Sequence, residues 1–524
     1  MIFRCVLYLN YMKYIQGQDR TQINLFPVSL DQSIDPENEV RIIDLFVDSL
    51  SIKDFGFRTD YIENGRPAYH PADLLKLFIY GYLNKFRSTR DLDKECRRNI
   101  EVMLILKCLR PDYNTIANFR RDNPNAIKKV FRATVEIAKH FHLIGGKLIA
   151  GDSTKLRAQN SKKNNYNQAK IDRHVAYIDN KLEEYARALA ENDGDNQQQI
   201  HDEIEKQKER KDNYKNLEKQ LKASGEPQIS ISDPESRQIM IRNNITEVAY
   251  SVQTTVDSKN SIPIDYKVTN QNDSKAMGNM VRRSKSILGN NEFTALYDKG
   301  YHTGSELKIS QDLGIETIVA IPGIPSTSQA PDPDYNFEHF EYDQHNDIYI
   351  CPQGEVLRSN GTWYKECNRR DNVITFKQYK TRSCKSCLAR TQCTKSKAGR
   401  VLSRSTYAEY YENNRKVYQE KEYLYKRRQA IVEHPYGTIK RQWGFSYILT
   451  NKGISRASSD AGFIFIAYNL KRIGNILTMN VLKEYLRILI GVFLSKLHLS
   501  ELKSSSLGSR FIQFLVLDRK FRSF

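Results

Sequence analysis

The chain has no uninterrupted apolar stretch of about 18 residues or more, so no segment is expected to span a bilayer. Its opening, MIFRCVLYLNYMKY, is apolar in character, but Arg4, Asn10 and Lys13 interrupt it. No small-residue cleavage site follows, and a signal peptide is not expected. Cysteine is scarce, with eight in 524 residues. Cys5, Cys96 and Cys108 are scattered and read as plain buried thiols, whereas the other five fall between Cys351 and Cys393. That spread fits a reduced, cytoplasmic protein with one metal site better than a disulfide scaffold. Acidic residues are in the minority, 62 Asp and Glu against 81 Lys and Arg, for a net charge of +19. Such an excess attracts polyanions at long range; nucleic acid is the commonest candidate, with membranes and acidic proteins behind it. What is present excludes a chain disordered by composition, since 40% apolar and 10% aromatic residues can fill an interior.

From about residue 36 to 140 the pattern is helical, with few glycines after Gly65. In YHPADLLKLFIYGYLNKF, residues Leu74, Leu75, Phe78, Ile79 and Leu83 form one apolar stripe, with Pro71 near its start. Between Lys85 and Arg132 there are 13 Lys or Arg and 6 Asp or Glu, a surplus of seven cations interleaved with the stripe. A helical DNA-binding domain, packed inside and basic outside, has this look, as does a solvated helical face.

The pattern changes at GGKLIAGDSTKLRA, where Leu148, Ile149 and Ala150 read as a buried strand with Asp152 at its C-terminal end. A heptad follows: Ile171, Val175, Ile178, Leu182, Tyr185 and Leu189, roughly repeated by Ile200, Ile204, Gln207, Lys211 and Tyr214 after NDGDN. This predicts a helical hairpin inserted into the core. Strands are expected at EVAYSVQTTVDS and IPIDYKVTNQ, joined at SKNS, and then a helix over 274–286. The strand FTALYDKGY, a helix near 305–313 and the strand ETIVAIPG come next. Antiparallel strands followed by strand–helix–strand units give a mixed α/β sheet, the order a ribonuclease-H-like core requires. Helical pattern returns after about Tyr407 and runs through GFIFIAYNLKRIGNIL.

Two aspartates close strands in this reading, Asp152 after LIAG and Asp298 after FTALY. Strand ends in open α/β sheets converge on one crevice. A third carboxylate, Glu433, lies in AIVEHPYGTIKRQWG among Arg427, Arg428, Lys440 and Arg441. Three carboxylates from separate segments can hold two divalent cations about 3.5–4 Å apart, and hard oxygen ligands suit magnesium or manganese.

With these residues the chain resembles the DDE transposases of bacterial insertion sequences, in the branch with a Tyr–Arg–Glu–Lys signature around the third carboxylate. The resemblance runs from KYIQGQDRTQINLFP through AYNLKRIGNIL, most of the chain. Its matching segments are YHPADLLKLFIYGYLN, LDKECRRNIEVM, GDSTKLRAQNSKKNN, YSVQTTVDS, YDKGYHTG and VEHPYGTIKRQWG. It implies Asp152, Asp298 and Glu433 as a metal-binding catalytic triad, with Tyr425, Arg428 and Lys440 contacting DNA. It also implies cleavage at transposon ends, attack of the freed 3′-hydroxyl on target DNA, and a homodimer in the active complex. The signature departs from its pattern in one place, with four residues rather than three between Arg428 and Glu433. On a continuous helix that sets Arg428 about 140° from Glu433, and Pro435 is expected to kink or restart the helix. A DNA-binding descendant without turnover and a nuclease without strand transfer remain open alternatives.

The intervals between the three carboxylates, 146 and 135 residues, exceed what a minimal core needs. The hairpin accounts for the first, and a cysteine-containing segment for the second. Cys384-Lys-Ser-Cys387 with Cys393 resembles half a zinc site, to which Cys351 could add a fourth thiolate; packed reduced thiols are the other reading. The organisation expected is therefore 1–140 helical and DNA-binding, and 141–476 a catalytic core with insertions at 163–222 and 335–400. A tail of unknown role, 477–524, follows. Among lesser residues, His434 reads as a cap or surface residue, Trp443 as core packing, and His302 as a packing residue with DNA contact as the alternative.

Overall fold

The computed structural model describes residues 29–59, 67–191, 197–242, 245–323, 328–367, 373–449 and 452–504. The opening segment with Cys5, the side chain of Cys367 and residues 505–524 lie outside this description. Six helices occupy the N-terminal region, as the periodicity predicts: α1 (Val40–Asp48), α2 (Pro71–Leu83), α3 (Thr89–Arg98), α4 (Ile100–Ile105), α5 (Tyr113–Asp122) and α6 (Pro124–His140). Pro71 starts α2 where its missing N–H costs nothing, and the His70 ring accepts from the Ala72 amide at 3.2 Å. The expected stripe is only part of what α2 buries. Lys76, Leu77, Tyr80 and Tyr82 are enclosed too, so the helix is surrounded rather than laid on a surface. Lys76 is tolerated there because Asp44 and Asp48 on α1 pair with it at 2.6 and 2.7 Å.

The sheet begins with β1 (Leu148–Arg157). A small excursion follows, in which β2 (Asn165–Tyr166), α7 (Gln168–Glu191), α8 (Gln197–Ser224) and β3 (Ile229–Ser230) form the helical hairpin with β2 and β3 paired at its base. Ile171, Ile178, Gln207 and Leu221 are its buried residues, and the other heptad positions are half-buried. The chain returns through β4 (Arg237–Arg242), β5 (Ile245–Asp257), β6 (Ile262–Thr269), α9 (Met277–Leu288), β7 (Thr294–Tyr297), α10 (Gly304–Asp312) and β8 (Glu316–Val319). The strands lie in the order β4-β5-β1-β7-β8, with β6 also paired to β5. β1, β4 and β6 run antiparallel to β5, whereas β1, β7 and β8 are mutually parallel.

β1 is longer than LIAGD suggested. Its antiparallel register with β5 continues from Ile149↔Asp257 to Arg157↔Ala249, so Asp152 lies in mid-strand rather than at the end. What stops near Asp152 is the parallel pairing with β7, whose last pair is Ala150↔Leu296.

The cysteine-containing insertion is also more regular than a loop. β9 (Glu341–Asp343), β10 (Ile348–Ile350), β11 (Val356–Cys367) and β12 (Val373–Lys380), then the short α11 (Arg390–Cys393) and β13 (Leu402–Ser405), give a five-stranded antiparallel sheet. Phe340, Tyr349, Leu357, Tyr379 and Leu402 form its own core.

The chain closes with α12 (Ala408–Glu420), α13 (Glu422–Tyr425), α14 (Arg428–Gly437), α15 (Ile454–Ile476) and α16 (Met479–Ser504). α15 is buried over most of its length, between α2, α5 and α6 on one side and the β6 edge of the sheet on the other. One continuous apolar core therefore joins the N-terminal helices, one sheet face, α9, α10, α15 and the start of α16. A second, smaller core on the opposite face unites Leu148, Ala150, Val256, Leu296 and Ile318 with Ile431 and Val432 of α14. No described helix is long and apolar enough to cross a membrane.

Candidate functional site

Strand alternation decides which way the two aspartates face. Leu148 and Ala150 on β1, and Leu296 on β7, point into the smaller core beneath α14, whereas Ile149, Ala295 and Tyr297 point into the larger one. Two residues on, by the period of two, Asp152 and Asp298 belong to the α14 face. The parallel register Ala150↔Leu296, carried on by two residues, sets Asp152 level with Asp298. Close approach of the strands here requires a glycine. A Cβ on Gly151 would lie 2.0 Å from the Tyr297 ring.

Each aspartate caps its own following amide: Asp152 accepts from Ser153 and Asp298 from Lys299, both at 2.7 Å. Arg428, at the first position of α14, reaches down to Asp152 with its Nη1 3.1 Å from Oδ2. Burial raises the Asp152 carboxyl above its ordinary value, Arg428 offsets part of that, and neighbouring Asp298 raises it further. Tyr425 stands beside Arg428, whose guanidinium lies 6.0 Å from the ring centre. Burial raises the Tyr425 phenol, Arg428 lowers it and Asp298 raises it, placing all four side chains within one electrostatic neighbourhood.

Glu433 is not part of that group. It is exposed on the flank of α14, where Gln429 Nε2 donates to its Oε1 at 2.7 Å. The helical phase accounts for this: Arg428, Val432 and Tyr436 face the sheet, and Glu433 lies about 100° from Val432. Pro435 does not restart the helix. α14 runs through it to Gly437 and continues as a π-helical segment, Thr438–Gln442, which carries the half-buried Lys440. π-helical turns of this kind recur at functional positions. Among the described residues, no three His, Cys, Asp or Glu side chains are arranged to hold a metal ion.

Several polar residues around the paired aspartates, on both faces of the sheet, escaped the sequence reading. Tyr436 donates to the Asp152 backbone carbonyl at 3.1 Å and shares a short hydrogen bond with Thr254, tying α14 to β1 and β5. Lys155 bridges Ser153, Ser251 and Asp273 at 2.7, 2.8 and 2.9 Å. Gln253 donates to Asp273 at 2.7 Å and accepts from Tyr301 at 2.5 Å. Burial pushes the phenols of Tyr301 and Tyr436 well up, with Asp152 and Asp273 adding to the effect, so both remain neutral donors. Their signal was in view, since all of these except Asp273 sit in the segments GDSTKLR, YSVQTTVDS, YDKGY and VEHPYG. Ser251 and Thr254 belong to YSVQTTVDS, where they pass for ordinary strand residues.

The minor candidates separate cleanly. His302 is half-buried against Tyr411, with ring centres 4.9 Å apart, and is a packing residue. Trp443 packs against Phe445 and Tyr468. His434 is exposed, as expected, and its Nδ1 also meets the Tyr468 hydroxyl at 2.7 Å, joining α14 to α15. Of the basic residues over 85–132, Lys85, Arg90, Lys94, Arg97, Arg98, Lys107, Arg110, Arg121 and Lys129 are exposed. Arg87 and Arg120 are instead buried on Asp460 of α15. Cys96 is buried as expected, but Cys108 is exposed.

Comparison with known proteins brings two family models onto the chain. One described as a transposase domain (DUF772) matches residues 28–122, and one described as a transposase DDE domain matches residues 350–474. A search of curated proteins found no match. A solved structure, described as a piggyBac transposase synaptic complex with hairpin DNA, is similar over 92% of this chain and 84% of that chain. Its identity is 10% and its TM-score 0.28, too distant to carry any residue across.

Proposed function

We propose, from the two transposase family models that match it, that the chain is a DDE transposase of the insertion-sequence type that binds insertion-sequence ends, cleaves the DNA there by metal-dependent hydrolysis and joins the 3′-hydroxyls to target DNA. The observation that carries this reading is the level placement of Asp152 and Asp298 on one sheet face beneath the cationic N-terminal end of α14. We take the sheet as a ribonuclease-H-like core, supported by three antiparallel strands (β1, β5 and β6) followed by the parallel β7 and β8, with helices against both faces.

The donor set fits magnesium or manganese at the paired aspartates: two adjacent carboxylates, one of them partly desolvated and already drawing a cation to itself. When bound, two such ions would activate the attacking oxygen and stabilise the departing one. Asp152 and Asp298 would hold them, with Glu433 as the third ligand once its side chain leaves Gln429 and turns toward the crevice. Pro435 and the π-helical segment favour such a movement, because regular i→i−4 bonding is broken just after Glu433. Arg428 and Tyr425 then face the DNA strand at the crevice, and Lys440 extends the same basic helix. Arg428 neutralises Asp152 in the resting protein, and a phosphate would give the guanidinium a bidentate partner. Two transposon ends brought together call for a homodimer.

The test is cleavage of a plasmid carrying the DNA that flanks the coding region, with and without magnesium, for wild type and Asp298→Ala. Magnesium-dependent cuts at the element ends, absent in the variant, support the reading. Specific binding without any cut in magnesium or manganese overturns it in favour of a DNA-binding protein without turnover. Cleavage with no joined product under any condition leaves a nuclease.

A further inference from the structure

The insertion collects four of the eight cysteines at one end of its sheet. Cys351, Cys384, Cys387 and Cys393 line a common cavity of about 30 Å³ and are all free thiols. They come from three places in the sequence. Cys351 follows β10, Cys384 and Cys387 bracket the turn after β12, and Cys393 ends α11.

The backbone around them is shaped for sulfur. In Cys351-Pro-Gln-Gly354, Gly354 adopts φ +79° and its amide donates to the Cys351 carbonyl at 2.8 Å. That turn aims the next amide, of Glu355, at Cys351 Sγ at 3.3 Å. A backbone amide directed at a sulfur holds it in one orientation, as the groups behind a metal ligand do. At Gly399, with φ +99°, a Cβ would lie 2.4 Å from the Cys384 Cβ, so the loop closes over that cysteine only with glycine. Between Lys380 and Arg400 there are seven Lys or Arg and no Asp or Glu. Four thiols lining one cavity make a soft donor set, and tetrahedral zinc is the ion such a set selects.

We propose that Cys351, Cys384, Cys387 and Cys393 form a structural zinc site that staples the cationic loop between β12 and β13 to the turn after β10. As they stand, the sulfurs do not converge at coordinating distance. Zinc closes them onto one point and releases their protons. The excess of lysine and arginine balances the negative charge of a four-thiolate centre. The proposal concerns the insertion alone and does not depend on the chemistry at the paired aspartates.

The test uses the full-length protein purified from zinc-supplemented cells, with metal content measured by mass spectrometry. One zinc per chain is expected, released by a mercurial reagent and restored by added zinc after reduction. Cys387→Ser should lose most of that zinc, whereas Cys96→Ser and Cys108→Ser should retain it. Cobalt(II) added to the zinc-stripped wild type reads out the ligands without relying on a variant. Tetrahedral tetrathiolate absorption bands are expected. Metal-free protein that takes up neither zinc nor cobalt overturns the proposal, as does an octahedral cobalt spectrum or a disulfide between any two of the four cysteines.

Discussion

Two carboxylate–arginine contacts in this protein have the same chemistry and opposite settings. At the junction of the N-terminal helices with α15, Asp460 meets Arg87 at 2.7 Å and Arg120 at 3.7 Å, all three side chains at most 7% exposed. Tyr82 and the Leu449 amide complete the carboxylate's shell, and the Arg87 guanidinium lies 4.4 Å from the Phe445 ring centre. Burial alone would raise the Asp460 carboxyl, yet the two arginines hold it below its ordinary value. At the crevice, Asp152 has one arginine, a second carboxylate beside it and 26% of its side chain exposed, and its carboxyl is raised. A carboxylate that is closed in and satisfied holds the fold. One left under-compensated is poised to accept a further cation.

The sharpest way to break this comparison is Asp460→Asn, which leaves two buried guanidiniums without a counter-charge. A loss of about 3–5 kcal/mol is expected in chemical denaturation. A change within a few tenths would show that the junction is not what holds α15. At the crevice the effect should fall on turnover instead. Asp298→Asn is expected to cut DNA cleavage on the order of 10²–10³-fold, with a melting temperature unchanged or higher because a like charge beside Asp152 is gone. Unfolding of this variant would make the two settings equivalent. Tyr436→Phe removes the hydroxyl that ties α14 to β1 and β5. Destabilisation of about 1 kcal/mol is expected, with cleavage reduced more than binding, as measured by gel shift.

The smallest effect concerns a third carboxylate, Asp347 in the insertion. Hydrogen bonds from Lys377, Tyr379 and Tyr342 hold its carboxyl down at about 2. A folded value below the unfolded one, about 3.9, means its contribution is in place above the unfolded value and declines as pH falls through about 2. Acid unfolding of the insertion should therefore begin at higher pH in Asp347→Asn than in wild type. Superimposable acid titrations would dismiss the contribution.

Much of the sheet was legible because its strands carry apolar alternation and its helices a clean period. The heptad at Ile171 and Ile178 marked the hairpin for the same reason. Asp298 could be read because strand β7 is short and stops where the sequence turns polar. The true extent of β1 could not, since Leu156 is the one apolar residue of STKLR and the segment is held by its antiparallel partner rather than by burial alone. β4 and the insertion sheet were invisible for a similar reason: their strands carry few fully buried side chains to mark an alternation. The 140° phase between Arg428 and Glu433 did forecast that the two would not share a face. Nothing local could pair Arg87 with Asp460, which are 373 residues apart.

That separation has a consequence for synthesis. The helices that end at His140 are made first, but α15, which completes their core, begins only at Ile454 and leaves the ribosome much later. Until then Phe78, Tyr82, Arg87 and Arg120 have no Phe463 or Asp460 to close on. Contacts of such long range form slowly and late. A truncated or interrupted translation product would thus expose an unfinished core to chaperones and proteases. Synthesis of α15 and completion of the N-terminal helical core become a single event.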